Sequence, residues 1–141
     1  MTLDGPVIFV EDDQDDQELY TEILRELGVT NEVKCFSHGK DALEYLKSTT
    51  EHPFIIFCDI NMPIMDGMRF REEICASEQL KKKSIPFIYL TTAVHNQAVQ
   101  SAYDLHVQGF FKKPQEYDVI KGLLKRIIDY WKFCEHPAPQ R

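Results

Sequence analysis

Cysteine is sparse, and its spacing is uninformative for metal binding. Cys35, Cys58, Cys75 and Cys134 include no CxxC pair. That argues against a zinc ribbon or a dithiol redox motif, and the four are expected to be reduced thiols of a cytoplasmic protein. The five histidines include no HxxxH pair, which removes the commonest zinc signature. Basic residues are outnumbered, 16 against 23 acidic ones, for a formal net charge of −7. Nonspecific nucleic-acid binding needs a basic surface, so no DNA partner is expected. No apolar run is long enough to span a bilayer, and Met1-Thr2-Leu3-Asp4 does not read as a signal peptide. No repeat, linker or low-complexity segment interrupts the chain.

What remains is the composition of a soluble globular protein, 43% hydrophobic and 28% charged over 141 residues. That length suits one domain with a sizeable core. The expected domain is the whole chain, 1–141, with its core at about 6–133, a tail at 134–141 and no output domain.

The pattern along the chain is strand–helix alternation, repeated five times. Pro6-Val7-Ile8-Phe9-Val10 reads as a first strand. Glu11-Asp12-Asp13-Gln14-Asp15-Asp16 follows at once, then Leu19, Tyr20, Ile23, Leu24 and Leu27 at helical spacing. Asn31 to Phe36 reads as a second strand and Ser37 to Lys47 as a short helix. Phe54 to Cys58 is a third strand, and Met68 to Ala76 is helical. Glu78 to Ser84, with Lys81-Lys82-Lys83, reads as a solvated loop. Phe87 to Leu90 is the fourth strand, followed by a helix over Val94 to Leu105. Val107 to Phe111 is the fifth, closing on Lys112-Lys113-Pro114. Tyr117 to Phe133 is the last helix, and His136 to Arg141 a frayed tail. Such alternation implies a parallel sheet with helices on both faces.

The third strand organises the rest. Its apolar run stops on Asp59, and Met62-Pro63 cannot continue a ladder, because proline lacks an N–H and restricts the residue before it. Asp59 therefore sits at the carboxyl end of a central strand, where open α/β sheets bind ligands. The same edge should receive Glu11 and Asp12 after the first strand, Thr91 after the fourth and Lys113 after the fifth. Asp15 and Asp16 are read as helix N-terminal carboxylates favoured by the dipole. Converging carboxylates make a hard-cation site, suited to Mg²⁺ that keeps several waters. A carboxylate can attack phosphorus to form an acyl phosphate. Mg²⁺, the Lys113 ammonium and the Thr91 hydroxyl would then meet the three phosphoryl oxygens.

These motifs resemble the receiver domain of bacterial two-component response regulators. The resemblance runs from about Val7 to Phe133. It rests on Glu11-Asp12, on Asp59-x-Asn-Met-Pro-x-Met-Asp-Gly67, on Leu90-Thr91-Thr92 and on Lys113-Pro114. It implies a flavodoxin-like (βα)5 fold with strand order 2-1-3-4-5. It implies Asp59 as phosphoacceptor, Asp12 as direct Mg²⁺ ligand, Glu11 acting through water, and Asn61 as a ligand through its main-chain carbonyl. It implies Thr91 as switch hydroxyl, Phe110 as switch aromatic and Lys113 as the phosphate-binding lysine. A cis bond before Pro114 also follows from it. The implied partners are a sensor histidine kinase and a downstream protein. Leu90-Thr91-Thr92 and Tyr103-Asp104-Leu105-His106-Val107 further resemble stand-alone regulators found with phytochrome-type kinases.

Other readings fit less well. A haloacid-dehalogenase phosphohydrolase needs Asp-x-Asp after its first strand, and here Asp59-Ile60-Asn61 follows the third. A flavin-binding flavodoxin needs a hydroxyl- and glycine-rich phosphate loop where this chain has carboxylates. A phosphorylation-independent scaffold would usually have lost Asp59, Lys113 or an acid. The expectation is a signalling protein and not an enzyme. The last helix carries Val119, Ile120, Leu123, Leu124, Ile127, Ile128 and Trp131 as a stripe for the sheet. Tyr130 and Phe133 widen it beyond what one sheet face needs: either they cap the core edge near the terminus, or the surface joins a second copy in a homodimer or meets the downstream protein.

Overall fold

Continuous apolar runs need cover on both sides, and three of them form the middle of the sheet. β1 (Val7–Val10), β3 (Ile55–Cys58) and β4 (Phe87–Thr91) are buried at every residue. The flanking strands β2 (Val33–Phe36) and β5 (Gly109–Lys112) are more open. The structure, a computed structural model, describes residues 2–137. Among these residues the five strands pair in parallel in the order β2-β1-β3-β4-β5. This is the flavodoxin-like order.

Alternate residues feed two cores. Ile8, Val10, Ile56, Cys58, Phe87 and Tyr89 face α2 (Gly39–Ser48), α3 (Gly67–Ala76), α4 (Glu78–Lys82) and α5 (Asn96–Asp104). Val7, Phe9, Ile55, Phe57, Ile88 and Leu90 face α1 (Gln14–Glu26) and α6 (Tyr117–Phe133). Phe9 stacks between Tyr20 and Phe57, with ring centroids 5.1 and 5.0 Å away. Register decides where the polar strand ends fall. Val10 pairs with Cys58 and Thr91 with Lys112. Backbone bonds carry the alignment one residue further: Asp59 N–H donates to Val10 O and Lys113 N–H to Thr91 O, each at 2.9 Å.

Several expectations are corrected. Glu78 to Ser84 is not simply a loop. Ser77 Oγ caps α4 by accepting the Leu80 N–H at 3.3 Å, and Leu80 is buried against the core. A single apolar residue among lysines carries too little periodicity to show this. Val119 is off the packing face and exposed, whereas Ile120, Leu124, Ile127 and Ile128 are buried as expected. No cis peptide bond occurs among the described residues, so Lys113–Pro114 is trans, the isomer an X–Pro bond favours by about 0.5–1 kcal/mol. His136 is not frayed: its Nε2 lies 2.8 Å from Trp131 O and its ring sits near Phe54. The rest of the expected tail, from 138 onward, lies outside the described residues. All four cysteines are free thiols.

Candidate functional site

The ends of β1, β3, β4 and β5 carry polar side chains to one edge of the sheet. Glu11 follows β1, is 3% exposed, and accepts the Asp13 N–H on Oε2 at 3.1 Å. Asp13 is the N-cap of α1, its Oδ1 accepting the Asp15 and Asp16 N–H groups at 2.8 and 3.2 Å. This cap turns the chain away so that Asp12 stays exposed at the rim. Asp59 follows β3 and is buried, with Oδ1 accepting the Ile60 N–H at 2.7 Å. The loop after it folds back on itself. Gly67 N–H donates to Ile60 O at 2.8 Å, and Asp66 caps α3 through the Arg69 N–H at 2.8 Å. Asn61 lies exposed on this loop.

Glu11, Asp12 and Asp59 each offer an oxygen, and the three lie within 4.8 Å of one another. Lys113, at the end of β5, reaches across to them. Its Nζ is 2.5 Å from Glu11 Oε1, 3.1 Å from Asp59 Oδ2 and 3.0 Å from Asp16 Oδ2. Three carboxylates therefore share one ammonium, and a fourth, Asp12, stands beside them. That surplus of negative charge, with Asp12 free at the rim, fits a divalent cation with oxygen ligands. Glu11, Asp12 and Asp59 are the residues that could hold it.

The electrostatics follow from burial. Desolvation pushes the Glu11 carboxyl up to about 7, although the hydrogen bond from Lys113 works against it. Burial also opposes the charge on Lys113. There the Glu11 hydrogen bond and field prevail, and they hold the ammonium well above its ordinary pKa.

Thr91, at the end of β4, is fully buried, and its Oγ1 accepts the Ala93 N–H at 3.1 Å. The hydroxyl proton is left to donate elsewhere. Phe110 is half-buried on β5, its ring 5.7 Å from Tyr89. Tyr89 and Thr91 are two apart on β4 and so share a sheet face. Tyr89 Oη donates to Gly67 O at 2.7 Å, which ties this face to the start of α3.

Asp16 is the residue that sequence reasoning missed. Its place in the first turn of α1 suggests a solvated helix-terminal carboxylate, yet it contacts Lys113. The available signal was its place three residues past the cap Asp13, which brings it round the first turn toward the crevice.

The family description of the response regulator receiver domain matches residues 7–125. The chain belongs to that family. It is therefore a signalling protein of the two-component kind, a family whose members interact with sensor histidine kinases. Among relatives, a probable methanogenesis regulatory protein, FilR2 of Methanothrix harundinacea (strain 6Ac), is 29% identical over 129 residues, covering 89% of this chain and 82% of that protein. Response regulator Rcp1 of Synechocystis sp. (strain ATCC 27184 / PCC 6803 / Kazusa) is 28% identical over 130 residues, covering 89% and 87%. The structure of the phosphorylated cyanobacterial phytochrome response regulator RcpA superposes with a TM-score of 0.86 at 28% identity, covering 95% of this receiver and 99% of that chain. The narrower resemblance to phytochrome-associated regulators thus holds in both sequence and fold.

Proposed function

We propose that this receiver accepts a phosphoryl group on Asp59 from a sensor histidine kinase, with Mg²⁺ held beside it. The observation that carries this is the meeting of Glu11, Asp12, Asp59 and Lys113 at one sheet edge, with oxygens within 4.8 Å of one another and the ammonium in contact with Asp59. An Asp59 carboxylate oxygen attacks phosphorus, the P–N bond to the donor imidazole breaks, and an acyl phosphate forms. Asp12, Asp59 and the Asn61 carbonyl would hold Mg²⁺, with Glu11 acting through water. Bound Mg²⁺ supplies positive charge for the carboxylates and for a phosphoryl oxygen. Lys113 lies beside Asp59 Oδ2 and meets the phosphoryl oxygens on that side. The Thr91 hydroxyl donates to another.

The new group brings roughly −1.5 to −2 charges. It draws Thr91 toward it, and the space this leaves is open to Phe110. The switch thereby reaches the face of α5 and β5. We propose that a second copy of the chain, or another downstream protein, reads this face together with α6. There Tyr130 and Phe133 are 61% and 89% exposed, an apolar surface beyond what the sheet uses. The family tie to phytochrome-associated regulators makes a phytochrome-like kinase the donor to try first.

Intact-mass analysis after treatment with a small acyl phosphate tests the acceptor. One phosphoryl group should add in Mg²⁺, and none in excess chelator or in Asp59→Asn. Equal labelling of Asp59→Asn and parent removes the assignment. An unlabelled parent points instead to a phosphorylation-independent scaffold.

A further inference from the structure

An ammonium has three N–H donors. In Lys113 all three are engaged, by Glu11 Oε1, Asp16 Oδ2 and Asp59 Oδ2. A phosphoryl group converts the Asp59 carboxylate to an acyl phosphate and inherits the N–H that Asp59 Oδ2 held. It gains a second N–H of Lys113 only if Glu11 or Asp16 gives one up. The Glu11 side chain is 4% exposed, and losing the lysine there would strand a buried carboxylate. The Asp16 side chain is 29% exposed, and water can take over its oxygen at little cost.

We propose that Asp16 is a positioning residue acting through Lys113. It holds the ammonium while Asp59 is unmodified and yields it to the phosphoryl group afterwards. The inference rests on the function proposed above and adds a control to the same site. One N–H···O bond to a carboxylate is exchanged for one to a phosphoryl oxygen, and no covalent bond changes. Asp16 thereby weakens the phosphorylated state in two ways of the same sign. It competes for a donor, and its charge stands beside the incoming group, since both carboxylates touch one ammonium. The exchange also releases the first turn of α1, so the modification is felt there as well as at Thr91.

The test compares the full chain with Asp16→Asn, Asp16→Glu and Asp15→Asn. Asp15 is the neighbouring exposed carboxylate, and its variant removes the same formal charge away from the crevice. The readout is the concentration of acetyl phosphate that half-saturates labelling in Mg²⁺, separated from the maximal labelling rate. Asp16→Asn should lower that concentration by about three- to tenfold, the scale expected for one partly screened charge. Asp16→Glu should restore the parent value, and Asp15→Asn should leave it unchanged. A labelled parent with the same half-saturation in Asp16→Asn, or an equal shift in Asp15→Asn, overturns the role of Asp16. A parent that takes no phosphoryl group removes the proposed function itself, and this control with it.

Discussion

Substituting Gly67 by alanine should damage the crevice without touching a charged group. Gly67 opens α3 against the backbone at the end of β3. A Cβ there would stand 2.1 Å from Asp59 O and 2.9 Å from Ile60 Cα. Ordinary non-bonded separation is about 3.5 Å, so the clash is well over an ångström deep. Its partner is main chain that cannot turn aside. Asp59 N–H is bonded to Val10 O at 2.9 Å, and Gly67 N–H to Ile60 O at 2.8 Å. Overpacking costs about 1–3 kcal/mol, and backbone against backbone places Gly67→Ala at the upper end, about 3 kcal/mol. Gly122 is the internal contrast. It lies inside α6, and a Cβ there meets nothing within 4 Å. Gly122→Ala should stabilise by about 1 kcal/mol, because alanine loses less backbone entropy in a helix. Urea unfolding of both variants and the parent gives the two differences from midpoints at constant slope. The relief of strain must move Asp59 or the start of α3, so Gly67→Ala should also lose phosphoryl acceptance beyond its loss of stability. A Gly67→Ala protein within about 0.5 kcal/mol of the parent would refute the reasoning, because that is the range of an ordinary surface change.

The Glu11 carboxyl has a folded pKa raised to about 7 from 4.5, so between these values the folded state binds the extra proton. The metal-free parent should therefore lose stability relative to Glu11→Gln as pH rises from 4.5 to 7, and a flat difference across that window would contradict the burial argument. Arg71 is buried on α3, and its Nε and Nη2 donate to Leu105 O and His106 O at 2.9 and 3.0 Å. Arg71→Met should cost about 1.5–3 kcal/mol by removing these hydrogen bonds from a charged donor. His106 O keeps Gln108 Nε2 at 3.0 Å and Leu105 O the Cys75 thiol at 3.5 Å. The denaturant midpoint measures the cost, while the labelling of Asp59 stays intact. Thr91→Ala should keep most phosphorylation yet blunt the response of β5. Amide shifts around Phe110 on phosphorylation that match the parent's would break the proposed coupling.

The fold was legible wherever one physical demand dominated. β1, β3 and β4 must be covered on both faces, and their unbroken apolar runs say so. The last helix was read with its observed limits, Tyr117–Phe133, because the apolar period persists over its length. Legibility failed where structure depends on one contact. Leu80 inserts alone, and nothing in Glu78 to Lys83 repeats it. Val119 matches the apolar period of α6 but lies just outside the covered arc, an angular distinction that spacing alone cannot make. His136 stands between Glu135 and Pro137, which reads as tail chemistry, yet it finds Trp131 O five residues back.

The candidate site divides along the same line. Glu11, Asp12, Asp59, Thr91 and Lys113 each stand next to a strand end, and a parallel sheet brings all such ends to one edge. The meeting of Glu11, Asp12, Asp59 and Lys113 thus follows from topology. Asp16 stands on a helix, and its direction follows from phase. Four aspartates, Asp12, Asp13, Asp15 and Asp16, are the same residue type within five positions, and composition cannot tell a cap from a contact. Once Asp13 is known to cap α1, the rest follows by rotation. Asp15 is turned outward, and Asp16, about 300° past the cap, returns to the crevice side. Local charge balance agrees with that geometry. A half-buried ammonium paired with two buried carboxylates has one donor left, and Asp16 Oδ2, 3.0 Å away and 29% exposed, accepts it.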